Sequence, residues 1–139
     1  MTTRREARRL ALDILYQADV TGADGRAVLA EWEGAERPIP AYTRQLVDGV
    51  AAAVPQLDRT IGSHAEGWAV ERMASLDRTI LRVATYELTS KDSEVPVGAA
   101  IDEAVQAAKE LSTEDSGRFV NGILGQVAAG LGRSSSPDD

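Results

Sequence analysis

Hydrophobic positions along the chain recur with the three- and four-residue spacing of amphipathic helices, and no segment alternates strictly as a half-buried strand would. In the segment VPVGAAIDEAVQAAKEL the apolar side chains form one stripe, made of Val97, Ala100, Ile101, Ala104, Val105, Ala108 and Leu111. The alanines of this stripe would let a neighbouring helix approach closely. The pattern predicts an all-α protein of about six to seven helices.

The start of the chain carries a capping signal. Thr3 and Glu6 have the spacing of a capping box, which predicts a first helix that begins near Arg4. Gly22 and Gly25 should end this helix soon after Val20, because glycine is the residue most often found just past a helix end.

Two later helices carry signals of their own. Pro55 should kink or divide the helix in AYTRQLVDGVAAAVPQLDRTI, because proline cannot donate the hydrogen bond that the helix interior needs. Asp77 is placed to cap the helix in LDRTILRVATYEL.

A glycine-flanked break between Gly62 and Gly67 divides the predicted helices into two groups. We therefore expect an N-terminal helical subdomain over residues 1–66 and a C-terminal one over residues 67–132, each with three to four helices. Residues 133–139 are too polar to bury a surface and are expected to form a disordered tail.

The composition argues against an enzyme. The 139 residues include no cysteine and one histidine, His64, so neither a cysteine nucleophile nor a thiolate or multi-histidine metal site can form. His64 is best interpreted as a solvated or capping residue. No phosphate-binding glycine loop is present, so we expect no metal and no cofactor. Nothing resembles an export signal or a bilayer-spanning segment, which favours a soluble, cytoplasmic protein without membrane contact.

Positive charge is concentrated at the first helix start. The first ten residues carry four arginines and one glutamate, a net charge of +3, which leaves −10 on the other 129 residues. Helical spacing places the arginines on one solvent face, away from the apolar stripe, with one tyrosine on the same side: Arg4, Arg5, Arg8, Arg9 and Tyr16. Such a face can bind a phosphate backbone and stack a base, or it can be an ordinary solvated face. The helix dipole disfavours cations at this end, which favours an anionic ligand.

Three segments resemble the NusB family of transcription antitermination proteins: RREARRLALDILY, LDRTILRVATYEL and VPVGAAIDEAVQAAKELSTEDSGRFVNGIL. The resemblance runs from about Arg4 to Leu131, and its most specific part is the DSxxFVNGxL pattern at residues 115–124. It implies two packed helical subdomains, no catalysis, and binding to the boxA element of ribosomal RNA transcripts. The partners implied are NusE, a small-subunit ribosomal protein, and the RNA polymerase antitermination complex that reads through termination signals.

The resemblance also implies roles for individual residues. It assigns RNA contacts to Arg4, Arg5, Arg8 and Arg9, with Tyr16 alongside, and to Phe119, and it assigns a NusE contact to Asp77. Helical spacing adds two candidate RNA contacts on the last helix, Asp115 in one row with Phe119 and Arg118 pointing away from the apolar stripe. Phe119 has an alternative role as a core residue, and Arg118 has one as a solvated side chain. For Asp77 the alternative is helix capping, and the two roles can coexist.

A second function stays open, that of a helical interaction module or homodimer without meaningful RNA binding. The first ten residues, with a net charge of +3, could bind the acidic surface of another copy of the chain when RNA is absent. The chain is therefore expected to self-associate in a way that hides the arginines and competes with RNA.

Overall fold

The computed structural model describes residues 2–91 and 93–131, and every regular element in these ranges is helical. In chain order the elements are α1 (Arg4–Thr21), α2 (Gly25–Gly34), α3 (Ala41–His64), a 3₁₀ turn (Val70–Arg72), α4 (Ser75–Thr89), α5 (Val97–Leu111) and α6 (Glu114–Gly130). The predicted all-α class and number of helices are confirmed. The predicted tail at residues 133–139 lies outside the described residues.

Helix α1 begins and ends where its capping signals predict. The Thr3 hydroxyl oxygen accepts the Glu6 backbone N–H at 3.1 Å, and the same hydroxyl lies 3.1 Å from the Glu6 carboxylate. Gly22 ends the helix in the left-handed conformation, with φ of 78°, and its backbone N–H binds the Ala18 carbonyl oxygen. A residue with a Cβ rarely adopts this conformation, which explains the glycine.

Helix α3 is kinked, as Pro55 predicts. Ala53 leaves helical geometry, with φ of −122° and ψ of 15°. Proline lacks the N–H that would bond one turn back, and its ring crowds the preceding turn. The chain divides into two compact units between Val54 and Pro55. The glycine break after residue 66, which the sequence predicts as the boundary between subdomains, lies within the second of these units.

The first unit contains α1, α2 and the beginning of α3. The Thr43 hydroxyl, which is fully buried, donates to the Ala7 carbonyl oxygen at 2.7 Å and ties α3 to α1. Helix α2 approaches α1 closely at Gly25, where an added Cβ would lie 2.8 Å from a methyl carbon of Leu15. These contacts hold the first turns of α1 against the start of α3.

The second unit contains the end of α3 and helices α4 to α6. The predicted stripe on α5 is buried at Val97, Ala100, Ala104 and Ala108, while Leu111 at its end is 47% exposed. Small side chains let α6 pack closely against α5, as the alanine pattern predicts. In this unit Arg82 donates two charge-assisted hydrogen bonds of 2.8 Å to the Asp58 carboxylate.

The prediction that Asp77 caps α4 is wrong. Helix α4 begins at Ser75, the cap position is Ala74 without a side-chain hydrogen bond, and Asp77 is the third helical residue. The Arg78 guanidinium donates to the carbonyl oxygens of Val70 and Met73 at 3.0 and 3.1 Å, which draws the start of α4 onto the 3₁₀ turn. The Asp77 carboxylate still lies in the first turn, where the helix dipole stabilises a negatively charged side chain.

Candidate nucleic-acid interface

The four arginines of α1, which we call the basic face, differ in exposure. Arg4 and Arg5 are exposed, Arg9 is half-buried, and Arg8 is only 6% exposed. The expectation that all four share one solvent face is therefore wrong for Arg8. Its guanidinium lies beside the Tyr42 ring at the start of α3. Arg4 and Arg5 are the cations of this face that an approaching ligand meets first.

Tyr42 stacks with two of these arginines. The Arg4 guanidinium carbon lies 4.6 Å from the centre of the Tyr42 ring, and that of Arg8 lies 5.9 Å from it. Both distances are within the range of a cation–π interaction. Tyr42 is half-buried at the second position of α3, next to the Thr43 contact with α1. Sequence analysis missed Tyr42, because residues so far apart in the chain share no spacing rule.

The rest of α1 adds an exposed ring and an acidic group. Tyr16 is 42% exposed, as its helical position predicts. One turn after Arg9, partial burial raises the pKa of the Asp13 carboxyl, while the positive charge of Arg9 opposes that rise. The basic face is therefore followed by an acidic group one turn after Arg9.

The second unit holds a pocket of about 310 Å³, which we call the Trp68 pocket. It is lined by Trp68, Met73, Ala74, Asp77, Asp115, Ser116 and Phe119. The Trp68 and Phe119 rings meet edge to face, with their centres 5.4 Å apart and their planes at 71°. Phe119 is half-buried, so it both packs inside the unit and reaches the pocket wall, while Trp68 remains 55% exposed.

Two carboxylates border the Trp68 pocket. One oxygen of Asp77 lies 3.4 Å from the Ser116 hydroxyl, and its other oxygen is buried without a hydrogen-bond partner among the described residues. Asp115 forms an ion pair with Arg118, and both side chains are exposed. The structure thus brings Asp77, predicted to bind a partner protein, into one pocket with Asp115 and Phe119, predicted to bind RNA. Sequence analysis also missed Trp68, which lies on a loop with no local motif.

Other chemistry is sparse in the described part of the chain. The His64 ring is half-buried in the last turn of α3, and its Nδ1 lies 2.9 Å from the Thr60 carbonyl oxygen, so it acts as a local capping residue. Residues 2–91 and 93–131 contain no group of three or more histidines, cysteines or acidic residues that could hold a metal ion. None of the helices in these ranges is both long enough and apolar enough to cross a membrane.

Comparison with known proteins gives consistent matches. The sequence model of the NusB family matches residues 5–129. The transcription antitermination protein NusB of Saccharopolyspora erythraea is 46% identical over 134 residues, which cover 95% of this chain and 90% of the relative. The solved structure of T. maritima NusB superimposes with a TM-score of 0.81 at 34% identity and covers 92% of each chain. A crystal structure of antitermination factors NusB and NusE in complex with dsRNA matches at 27% identity, with a TM-score of 0.79 and coverage of 91% of this chain and 96% of that chain.

Proposed function

Because this chain belongs to the NusB family of transcription antitermination proteins, we propose that it binds boxA RNA of ribosomal RNA transcripts together with NusE and promotes read-through by RNA polymerase. The family is not one of enzymes, in agreement with the expectation from composition. The related structure with NusE and dsRNA supports RNA and NusE as ligands. Such a role places the protein at nascent transcripts in the cytoplasm.

The basic face is the observation that carries the proposal. An acidic chain of net charge −7 places four arginines in the first two turns of α1, where the helix dipole makes cations unfavourable. The negative charge of a bound phosphate backbone would offset this unfavourable interaction between the arginines and the dipole. Arg4 and Arg5 contact phosphate directly in this proposal, and Arg9 adds to the field. Arg8 is too buried to lead the contact and instead shares the Tyr42 ring with Arg4.

Further RNA contacts are proposed beyond the basic face. Tyr16, which is exposed, offers a ring on which an unpaired base can stack. In the second unit, Arg118 is exposed beside Asp115 and could exchange that ion pair for a phosphate. Phe119, which is half-buried, is proposed to contact RNA with the exposed part of its ring. Asp77 is proposed to contact NusE.

Affinity for RNA alone should be modest. The two direct phosphate contacts of Arg4 and Arg5 to a single strand give a slope of log affinity against log salt of only about −1 to −2, far less than that of a large nucleic-acid interface. Joint binding with NusE is therefore part of the proposal, since a second protein adds contacts without enlarging the basic face.

The test is a binding assay with boxA RNA and with a scrambled strand of equal length, at one salt concentration, with and without NusE. The proposal expects preference for boxA and tighter binding when NusE is present. Equal affinity for the two strands would instead support the alternative function, a helical interaction module that does not recognise RNA. A read-through assay with purified polymerase then tests the transcriptional effect.

A further inference from the structure

We propose that the Trp68 pocket binds an arginine side chain of a protein partner. The identity of that partner rests on the proposed function, in which NusE is the protein ligand, but the chemistry of the pocket does not. The pocket places an exposed indole, a second aromatic ring and an incompletely bonded carboxylate around one cavity of about 310 Å³. This combination suits a flat cation that carries several N–H donors.

The aromatic wall supplies the stacking surface. Trp68 stays 55% exposed, although Phe119 packs against it edge to face. Tryptophan is the most favourable ring for a cation–π interaction, and arginine makes this contact more often than lysine. A guanidinium can lie over the indole and still direct its N–H groups outward in its own plane, which an ammonium group cannot do.

The Asp77 carboxylate supplies the acceptor. Its one hydrogen-bonded oxygen is held only by a neutral hydroxyl at 3.4 Å, and its other oxygen is buried with no partner in the described part of the chain. Asp77 lines the pocket, so a cation that enters the pocket lies beside a carboxylate with few hydrogen-bond partners, which favours its binding. Because a guanidinium presents two parallel N–H groups, it matches a carboxylate more closely than other side chains do.

Charge favours a protein side chain over an RNA base. A strand entering the pocket would bring phosphates close to Asp77 and Asp115, and Arg118 is already paired with Asp115. A cationic side chain meets attraction from the same groups. Arg78 also holds the pocket in shape, since it donates to the carbonyl oxygens of Val70 and Met73 in the segment between Trp68 and α4. A preformed pocket loses less entropy when it binds.

The first experiment tests the chemistry without any partner protein. The indole N–H signal of Trp68 in the ¹⁵N-labelled full chain is identified with a Trp32→Phe variant, and N-acetyl-arginine amide is titrated against it. We expect a saturable shift, absent with neutral N-acetyl-glutamine amide and weakened by about fivefold or more in Asp77→Asn. If the arginine compound shifts the indole N–H signal of Trp68 no more than the glutamine compound does, the inference is overturned.

The second experiment tests the partner. Trp68→Leu and Asp77→Asn should each weaken NusE binding by on the order of tenfold, and Asp77→Asn should leave affinity for RNA alone unchanged. Trp32→Phe, in the other unit, is the matched control and should bind NusE normally. If the two pocket variants instead lose RNA affinity and keep NusE affinity, the pocket binds a nucleobase and the inference is wrong. If the arginine compound binds but wild-type protein does not bind NusE, the proposed function fails in its partner while the pocket chemistry stands.

Discussion

Replacing Tyr42 by leucine should weaken RNA binding without removing any charge. The ring now stacks with Arg4 and Arg8, at 4.6 and 5.9 Å from its centre, and so limits the positions their guanidinium groups adopt. Without the ring, the exposed Arg4 side chain must be ordered when RNA binds, at about 0.5 to 1.5 kcal/mol, whereas burial already holds Arg8 in place. That cost corresponds to an affinity loss of about 2- to 13-fold.

Salt dependence separates this role from direct phosphate contact. Because Tyr42→Leu keeps every arginine, the slope of log affinity against log salt should stay within about 0.7 of the wild-type value, the change expected for one lost contact. Tyr42→Phe keeps the ring and should bind as wild type does, and circular dichroism checks that both variants remain helical. Wild-type affinity in Tyr42→Leu would refute the reasoning, and so would an equal loss in Tyr42→Phe.

Three further predictions concern packing, an ion pair and self-association. Gly25→Ala should lower the free energy of unfolding, measured with denaturant, by about 1 to 3 kcal/mol, because the added Cβ would lie 2.8 Å from Leu15. The control is Gly34→Ala on the same helix, whose added Cβ meets no atom within 4 Å and should not destabilise the protein. Asp58→Asn should lower the free energy of unfolding by about 1 to 3 kcal/mol, because it weakens the half-buried pair with Arg82. The affinity for RNA should not change. If the variant is as stable as the wild type, the pair does not stabilise the protein. Sedimentation across protein concentrations should detect self-association at low salt that boxA RNA and added salt both reverse, and a monomer under all conditions would contradict it.

Local patterns were sufficient to predict most of the helices. The capping box at Thr3 and the glycine at residue 22 mark the two ends of α1. These ends could be predicted because the interactions involved span only a few residues. The Pro55 kink could be predicted for the same reason. Asp77 shows the limit of such rules, since contacts of Arg78 with the preceding turn, rather than the best capping residue, decide where α4 begins.

The candidate site was predictable only in part. Helical spacing placed Arg4, Arg5 and Tyr16 at the surface correctly, because exposure there depends on the face of one helix. The burial of Arg8 depends on what packs over α1, and no pattern within α1 contains that information. Tyr42 and Trp68 were missed for the same reason, since their partners lie in distant parts of the chain.

The central claim is that the exposed arginines of α1 form the RNA site, and charge reversal tests it most directly. Reversing buried Arg8 would place a carboxylate inside the first unit, so the variant is Arg4→Glu with Arg5→Glu. The control, Arg59→Glu with Lys91→Glu, changes net charge equally at exposed positions of the second unit.

The measurement is the affinity of each variant for boxA RNA in the presence of NusE, at one fixed salt concentration. We predict that reversal at Arg4 and Arg5 weakens binding by about 30-fold or more, because it replaces two phosphate contacts with two repulsions, while the control stays within about threefold of wild type. Equal losses in both variants would show that only net charge matters. Unchanged affinity in the α1 variant would contradict the claim that this face binds RNA.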